Sequence, residues 1–201
     1  MVITERVAIE VAHHEAIVRE AYLDSVGVWT WSVGLTSKSG HKVERYRGNP
    51  QTLERCLEVY LWALERYAAD VREAMDGRDI TEAQFAAALS FHWNTGAIGK
   101  ATWVRSWLDG QDDNARREIM NWSTPPEIIK RRRAEQALFF DGEWSNTDGR
   151  GTIYRRVRPS GYVDWGSAER IDLRGRFPGL KSAKPKAATW WTRFIEWLRG
   201  V

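Results

Sequence analysis

The sequence has only one cysteine in 201 residues, and it lacks a long apolar run. A single cysteine cannot form an internal disulfide, so the fold must depend on packing and suits a reducing compartment. Cys56 lies on an apolar helical stripe with Leu53, Leu57 and Tyr60, which favours a buried side chain over a nucleophile. No run reaches the roughly 18 apolar residues of a transmembrane helix, and the N-terminus has no signal-peptide pattern, so neither kind of segment is expected.

Net charge is also nearly absent, because 30 Lys and Arg residues stand against 27 Asp and Glu residues. The balance conceals a division: residues 1–144 contain 18 basic and 22 acidic residues, whereas residues 145–201 contain 12 and 5. The turn-forming residues from Asp141 to Gly149 mark this change, so we predict one domain over 1–144 and a basic extension over 145–201. With 43% hydrophobic residues, the chain can form a core, which excludes disordered and fibrous classes.

The hydrophobic periodicity predicts an α+β fold that is mainly helical. Helices are expected over 3–21, 53–75, from Thr81 through His92, 101–109, 112–121 and 126–140. Between the first two, β-type residues over 24–46 are broken by glycines, which predicts a small antiparallel sheet that includes Val43 and Tyr46 and has a turn at 36–40. The predicted architecture is a helix, a small sheet lobe and a larger group of helices.

Three polar residues where the first helix meets the sheet form a candidate catalytic set. Glu15, Asp24 and Thr30 are separated by eight and five intervening residues. Cleavage of a glycosidic bond requires a proton donor for the leaving oxygen and a second carboxylate that activates water or attacks directly. A half-buried carboxyl favours its protonated form, a solvated one stays ionised, and a hydroxyl can hold water. Taken singly, each residue is better explained as an ordinary one: an exposed helical glutamate, a turn-forming aspartate or a strand threonine.

Three segments of the chain carry motifs in a fixed order. The run from His14 to Thr36 contains LDSVGVWTWSVGLT, residues 88–96 read ALSFHWNTG, and residues 131–139 read RRRAEQALF. The first resembles the active-site segment of the phage-type lysozymes, the endolysins of glycoside hydrolase family 24. The second is similar to that family's central SFxxNxG helix end, and the third to its late RRxAExxLF helix. The resemblance covers positions 3 to about 144.

The resemblance implies a lysozyme-type fold in which a glycan strand binds between a small antiparallel β lobe and a larger helical lobe. It implies hydrolysis of the β-1,4 bond between N-acetylmuramic acid and N-acetylglucosamine in peptidoglycan. Glu15 matches the family's general acid, Asp24 the carboxylate that positions or activates water, and Thr30 its water-holding partner. No cofactor is implied, and the spacing of the four histidines predicts no metal site. Inversion or retention depends on the separation of the two carboxyl groups.

Two positions depart from the family pattern. Ala16 stands where a glycine usually follows the catalytic glutamate, and Ser32 replaces the first glycine of the TxGxG strand. Both residues are small, so we expect a bulkier cleft wall that alters substrate preference or rate and retains the reaction class.

Other conspicuous residues have an ordinary structural interpretation. His13 and His14 precede Glu15, but helical surface positions are favoured over tuning of the acid. Residues 131–133 predict a charged helix face with an ion pair to Glu135, rather than a nucleic-acid site. Tryptophans at helical spacing are more typical of a core than of sugar stacking, and these are Trp93, Trp103 and Trp107.

The extension contains two predicted features. Residues 152–157 and 161–165 predict a hairpin around a Pro-Ser-Gly turn, packed beside the catalytic domain. The apolar stripe from Trp190 to Leu198 predicts an amphipathic helix, which fits either a membrane interface or the protein's own surface. The excess of basic residues predicts attraction to an anionic envelope surface under either interpretation.

The leading hypothesis is an endolysin that is made in the host bacterial cytoplasm and reaches the wall through a separate pore-former. Its expected partner is the peptidoglycan glycan strand, with no nucleic acid, and the expected state is a monomer. One alternative is a lytic transglycosylase, for which Asp24 and Thr30 would be dispensable. The other is a wall- or membrane-active protein without catalysis on a lysozyme fold.

Overall fold

The first helix is shorter than its sequence pattern predicts. The computed structural model describes residues 1–180. Helix α1 spans Glu5–His13 and begins at Thr4, whose hydroxyl accepts a hydrogen bond from the Val7 amide at 3.2 Å. Strand β1 follows at Ala16–Leu23, so the prediction of a helix over 3–21 is wrong beyond His13. Hydrogen bonds along both edges of β1 outweigh the helical spacing of its apolar residues.

A mixed five-stranded sheet replaces the purely antiparallel lobe that the sequence predicts. Its remaining strands are β2 (Trp29–Ser32), β3 (Leu35–Thr36), β4 (Arg150–Tyr154) and β5 (Ala168–Asp172), and the order is β3-β2-β1-β4-β5. The β1–β2, β2–β3 and β4–β5 pairs are antiparallel, whereas β1 and β4 are parallel. The extension therefore supplies two strands to the sheet that carries the candidate site.

Two predicted strands are absent from the described residues. The segment Val43–Tyr46 forms a 3-10 turn, and it places the Tyr46 ring on Trp31 with centroids 3.9 Å apart. In the extension, residues 161–165 contribute only the single bridge between Val157 and Val163, and β4 pairs with β5. The terminal helix predicted from Trp190 to Leu198 lies outside the described residues.

The five helices predicted between residues 53 and 140 are confirmed, although residues 119–121 and 126–128 form 3-10 turns rather than α-helix. The helices are α2 (Leu53–Ala74), α3 (Glu82–Thr95), α4 (Thr102–Leu108), α5 (Asp112–Glu118) and α6 (Ile129–Asp141). A capping box at Thr81 and Gln84 begins α3, which is buried from Phe85 to His92 and packs against α1, α2 and α6. In the described part of the chain, none of the helices is apolar and long enough to cross a membrane.

The hydrophobic core spans both parts of the chain. Cys56 is buried, as predicted, and burial raises the pKa of its thiol to about 12. Ile153, Leu173 and Phe177 of the extension are also buried in this core, and the Phe177 ring lies 6.3 Å from that of Tyr60. The division at residue 144 remains a prediction, although both the core and the sheet continue across it.

Two buried carboxylates of α1 hold the extension in place. Glu10 Oε1 accepts hydrogen bonds from the Ser145 hydroxyl at 2.5 Å and the Ser145 amide at 3.2 Å, and Oε2 accepts one from the Asn146 amide at 3.0 Å. Glu5 accepts a hydrogen bond from the Gly175 amide at 2.5 Å. Burial alone would raise the pKa of Glu10, but the contacts with His14, Ser145 and Asn146 lower it to about 2.

Candidate active site

Glu15 lies between the end of α1 and the start of β1. Its amide donates a hydrogen bond to the Ala12 carbonyl at 3.2 Å, and its side chain is 25% exposed. Oε1 accepts a hydrogen bond from Arg131 Nη1 at 2.5 Å. Oε2 faces Gly34, where an added Cβ would lie 3.4 Å from this oxygen and 3.9 Å from Trp93 Nε1. One oxygen of Glu15 is thus held by Arg131, and the other lies beside Gly34, close enough for an added methyl group to touch it.

A buried ionic network fixes Arg131. Its Nε donates to Glu135 Oε1 at 2.9 Å, and its Nη2 donates to the Ser90 carbonyl at 3.0 Å. The Ser90 hydroxyl donates to Glu135 Oε1 at 2.6 Å. Burial alone would lower the pKa of Arg131, but the carboxylates of Glu15 and Glu135 outweigh it and raise this pKa. Because these hydrogen bonds fix the guanidinium of Arg131, its hydrogen bond to Glu15 fixes the orientation of the Glu15 carboxyl group.

Arg132 extends the network toward a cavity. It pairs with Glu135, and it donates to Asn94 Oδ1 at 2.7 Å and to the Trp122 carbonyl at 3.2 Å. Arg131 and Arg132 are both buried, so the predicted charged helix face is wrong for them, while the predicted ion pair with Glu135 is confirmed. The cavity has a volume of about 410 Å³ and is lined by Asn94, Thr95, Asn121, Trp122, Thr124, Pro125 and Ile128.

Asp24 and Thr30 both bind the backbone of Val28. Asp24 Oδ1 accepts hydrogen bonds from the Val26 and Val28 amides at 3.0 and 2.8 Å. The Val28 carbonyl accepts hydrogen bonds from the Asp24 amide at 3.0 Å and from the Thr30 hydroxyl at 3.1 Å. Within residues 1–180, no protein donor contacts Asp24 Oδ2. The turn between β1 and β2 therefore brings these two predicted site residues together.

Tyr22 lies on β1, two residues before Asp24. It is paired with Thr30 across β1 and β2. Burial raises the pKa of the Tyr22 phenol, and the carboxylates of Glu15 and Asp24 raise it further.

The histidines before Glu15 have different surroundings. His14 Nε2 lies 3.7 Å from Glu10 Oε1 and 3.3 Å from the Ser145 hydroxyl, so it joins the contacts by which Glu10 holds the extension. Burial and the neighbouring His14 lower the pKa of His13. Among residues 1–180, no group of His, Cys, Asp and Glu side chains is arranged to hold a metal ion.

Three residues of the site are absent from the sequence-based set: Tyr22, Gly34 and Arg131. Gly34 lies in the first motif and Arg131 in the RRRAEQALF segment, so the motifs include both residues. They do not reveal that Arg131 binds Glu15, because these two residues are 116 positions apart in the sequence. Of the tryptophans, Trp103 is buried as predicted, whereas Trp93 is partly exposed and approaches the Glu15 site.

Comparisons with known proteins cover this part of the chain. The phage lysozyme family matches residues 12–135. The endolysin of Bacillus phage B103 is 32% identical over an alignment of 90 residues, and the match covers 38% of this chain and 34% of that protein. The chain thus covers about a third of this curated relative's length.

Solved structures agree in fold. The endolysin from Escherichia coli O157:H7 phage FAHEc1 has a TM-score of 0.64 at 24% identity, covering 73% of this chain and 98% of that one. A mutant of P22 lysozyme has a TM-score of 0.54 at 26% identity, covering 69% and 98%. The family match includes Glu15, Asp24, Thr30 and Arg131 and extends over more than half of the sequence. The chain belongs to the phage lysozyme family of enzymes.

Proposed function

We propose that this chain is an endolysin that hydrolyses the β-1,4 bond between N-acetylmuramic acid and N-acetylglucosamine in peptidoglycan. The observation that carries the proposal is the environment of Glu15, which has one oxygen bound to Arg131 and the other directed toward the space at Gly34. A general acid requires this combination of fixed orientation and a free oxygen for the substrate. Membership of the phage lysozyme family supports the same reaction.

Glu15 is the proposed proton donor. Protonated Oε2 gives its proton to the glycosidic oxygen as the bond from that oxygen to the anomeric carbon breaks, and positive charge develops on the sugar. Arg131 keeps Oε1 engaged, so the proton resides on the oxygen that faces the substrate.

Asp24 and Thr30 are the proposed handlers of water. Because the Thr30 hydroxyl donates its hydrogen to the Val28 carbonyl, its oxygen is available to accept a hydrogen bond from water. A water molecule that donates to both Thr30 Oγ1 and Asp24 Oδ2 keeps a lone pair for the anomeric carbon. Asp24 then takes the proton that the water loses on attack.

Purified sacculi test the reaction without the complication of a living cell. We expect Glu15→Gln to reduce the release of reducing ends at least about 1000-fold, and Asp24→Asn and Thr30→Val to reduce it about 10- to 100-fold. Glu143→Gln, which changes an exposed glutamate, should match the wild type. Mass spectrometry of the products must find reducing muramic acid ends. Anhydro ends, with Asp24→Asn fully active, would instead identify a lytic transglycosylase.

Delivery to the wall needs a separate experiment. We expect expression in a bacterial cytoplasm to cause lysis only when a membrane pore-former is co-expressed. Glu15→Gln should prevent that lysis, and full lysis by this variant would favour the non-enzymatic alternative.

A further inference from the structure

The loop between β4 and β5 lies beside the candidate catalytic residues. Because β4 and β1 are parallel, the loops that follow these two strands leave the same end of the sheet. The amide of Leu23, the residue before Asp24, donates a hydrogen bond to the Gly161 carbonyl at 2.7 Å. A Cβ at Gly161 would lie 3.2 Å from Leu23 Cδ1 and 3.3 Å from Trp29 Cη2. The loop is therefore packed closely against the two ends of the Asp24 turn.

This loop exposes two aromatic rings next to that contact. Tyr162 is 50% exposed and Trp165 is 65% exposed, although large aromatic side chains usually bury most of their surface. The Trp165 ring packs edge-on against Tyr154 of β4 at a centroid distance of 5.2 Å. Rigid rings with a solvent-facing surface offer the flat apolar area on which a sugar ring can pack.

The same loop carries an excess of positive charge. Arg156 and Arg158 share a single acidic partner, Asp164, at 3.0 and 3.8 Å. Arg158 is joined to Tyr162 through the turn, because its amide donates to the Tyr162 carbonyl at 2.8 Å. A strand of peptidoglycan alternates two kinds of sugar ring, and the peptides attached to every second ring carry carboxylates. Its chemistry therefore complements an aromatic ring beside an arginine.

We propose that residues 155–165 form an additional subsite for the peptidoglycan strand, beside the turn that carries Asp24. Tyr162 packs on a sugar ring, and Arg158 pairs with a carboxylate of the attached peptide. The inference rests on the proposed function, because the ligand is the strand that Glu15 would cleave. Residues 155–165 lie in the extension, outside the range 12–135 that the family matches.

Binding to purified sacculi in the Glu15→Gln background tests the subsite without turnover. Co-sedimentation should give a Kd about tenfold higher for Tyr162→Ala and about fivefold higher for Arg158→Gln. Trp62→Ala removes an exposed ring from α2, and Arg174→Gln removes an arginine that pairs with Asp172. Both control variants should bind within about twofold of the parent. Thermal melting of all five proteins establishes that they are folded.

Blocking the carboxyl groups of the sacculi as methylamides identifies the partner of Arg158. This treatment should weaken binding of the Glu15→Gln parent about fivefold and leave that of its Arg158→Gln variant nearly unchanged. If folded Tyr162→Ala and Arg158→Gln variants bind as tightly as the controls, the subsite is refuted, whatever the wild-type activity. If they bind weakly while wild-type protein releases no reducing ends, the subsite stands and the proposed hydrolysis fails.

Discussion

At the scale of single residues, the candidate acid depends on what surrounds each of its two oxygens. Arg131 holds Oε1 at 2.5 Å, and the missing side chain of Gly34 leaves space at Oε2. Gly34 also has φ +76°, a backbone conformation that disfavours side chains. The glycine therefore has both a conformational and a steric reason to stand beside Glu15.

Gly34→Ala should separate these two effects. We expect a loss of about 1–2 kcal/mol in the free energy of unfolding from the left-handed backbone. We also expect about a tenfold fall in kcat, because the new methyl group occupies the space where Oε2 would meet the substrate. Gly77→Ala is the matched control, since its φ is +71° and an added Cβ would contact nothing within 4 Å. Equal kcat for the two variants would show that the space at Oε2 is unimportant.

Glu10 predicts how stability varies in acid. Its folded pKa of about 2 lies below the ordinary value of 4.5. A lowered pKa means that the stabilisation is complete above the ordinary value and is lost as the pH falls toward 2. The shift corresponds to about 3 kcal/mol. In urea unfolding, the stability difference between wild type and Glu10→Gln should be large at about pH 5 and much smaller at about pH 3. A difference independent of pH would contradict this role for Glu10.

At the scale of elements, the sequence predicts the helices better than the sheet. The α2 pattern and the Thr81 capping box are local signals, and both are confirmed. Strand β1 is decided by partners far away in the sequence, including Ile153, which is paired with Ile17. No local period contains that information, so the sequence pattern assigns Ile17 and Val18 to a helix.

The candidate site follows the same rule. Glu15, Asp24 and Thr30 are recognisable because they occur within one short segment. Asp24 and Thr30 meet at Val28, as a short turn between strands allows. The hydrogen bond from Arg131 to Glu15 requires α6 to pack beside α3, which depends on the complete fold.

Truncation tests whether the extension is part of the catalytic domain. A chain ending at Trp144 loses β4, the buried side chains Leu173 and Phe177, and the partners of Glu10. Each large core side chain is worth about 2–5 kcal/mol, so their joint loss approaches the total stability of a typical domain. We expect the 1–144 chain to be unfolded by circular dichroism. A chain ending at Leu180 should keep both its melting transition and its activity on sacculi. A folded and fully active 1–144 chain would instead establish the boundary at residue 144.

At the scale of the whole molecule, the charge excess of the extension has two parts. Residues 145–180 contain seven basic and four acidic residues, and residues 181–201 contain five and one. In the first part, Arg155, Arg170 and Arg174 each form an ion pair with a carboxylate. Much of the charge in the first part is thus neutralised locally within the fold. The second part has the higher excess for its length and contains the predicted amphipathic stripe.

Removal of residues 181–201 should therefore separate wall hydrolysis from envelope attraction. We expect the 1–180 chain to release reducing ends from purified sacculi within about twofold of the full chain, because the site and core lie within it. On vesicles of anionic lipid, the full chain should bind more tightly than the 1–180 chain, and added salt should reduce the difference by screening the charges. Vesicles of neutral lipid are the control, because they lack the negative charge that would attract the basic residues. Equal binding of both chains to anionic vesicles would leave the tail without an envelope role, and binding that persists in high salt would assign it to the apolar stripe.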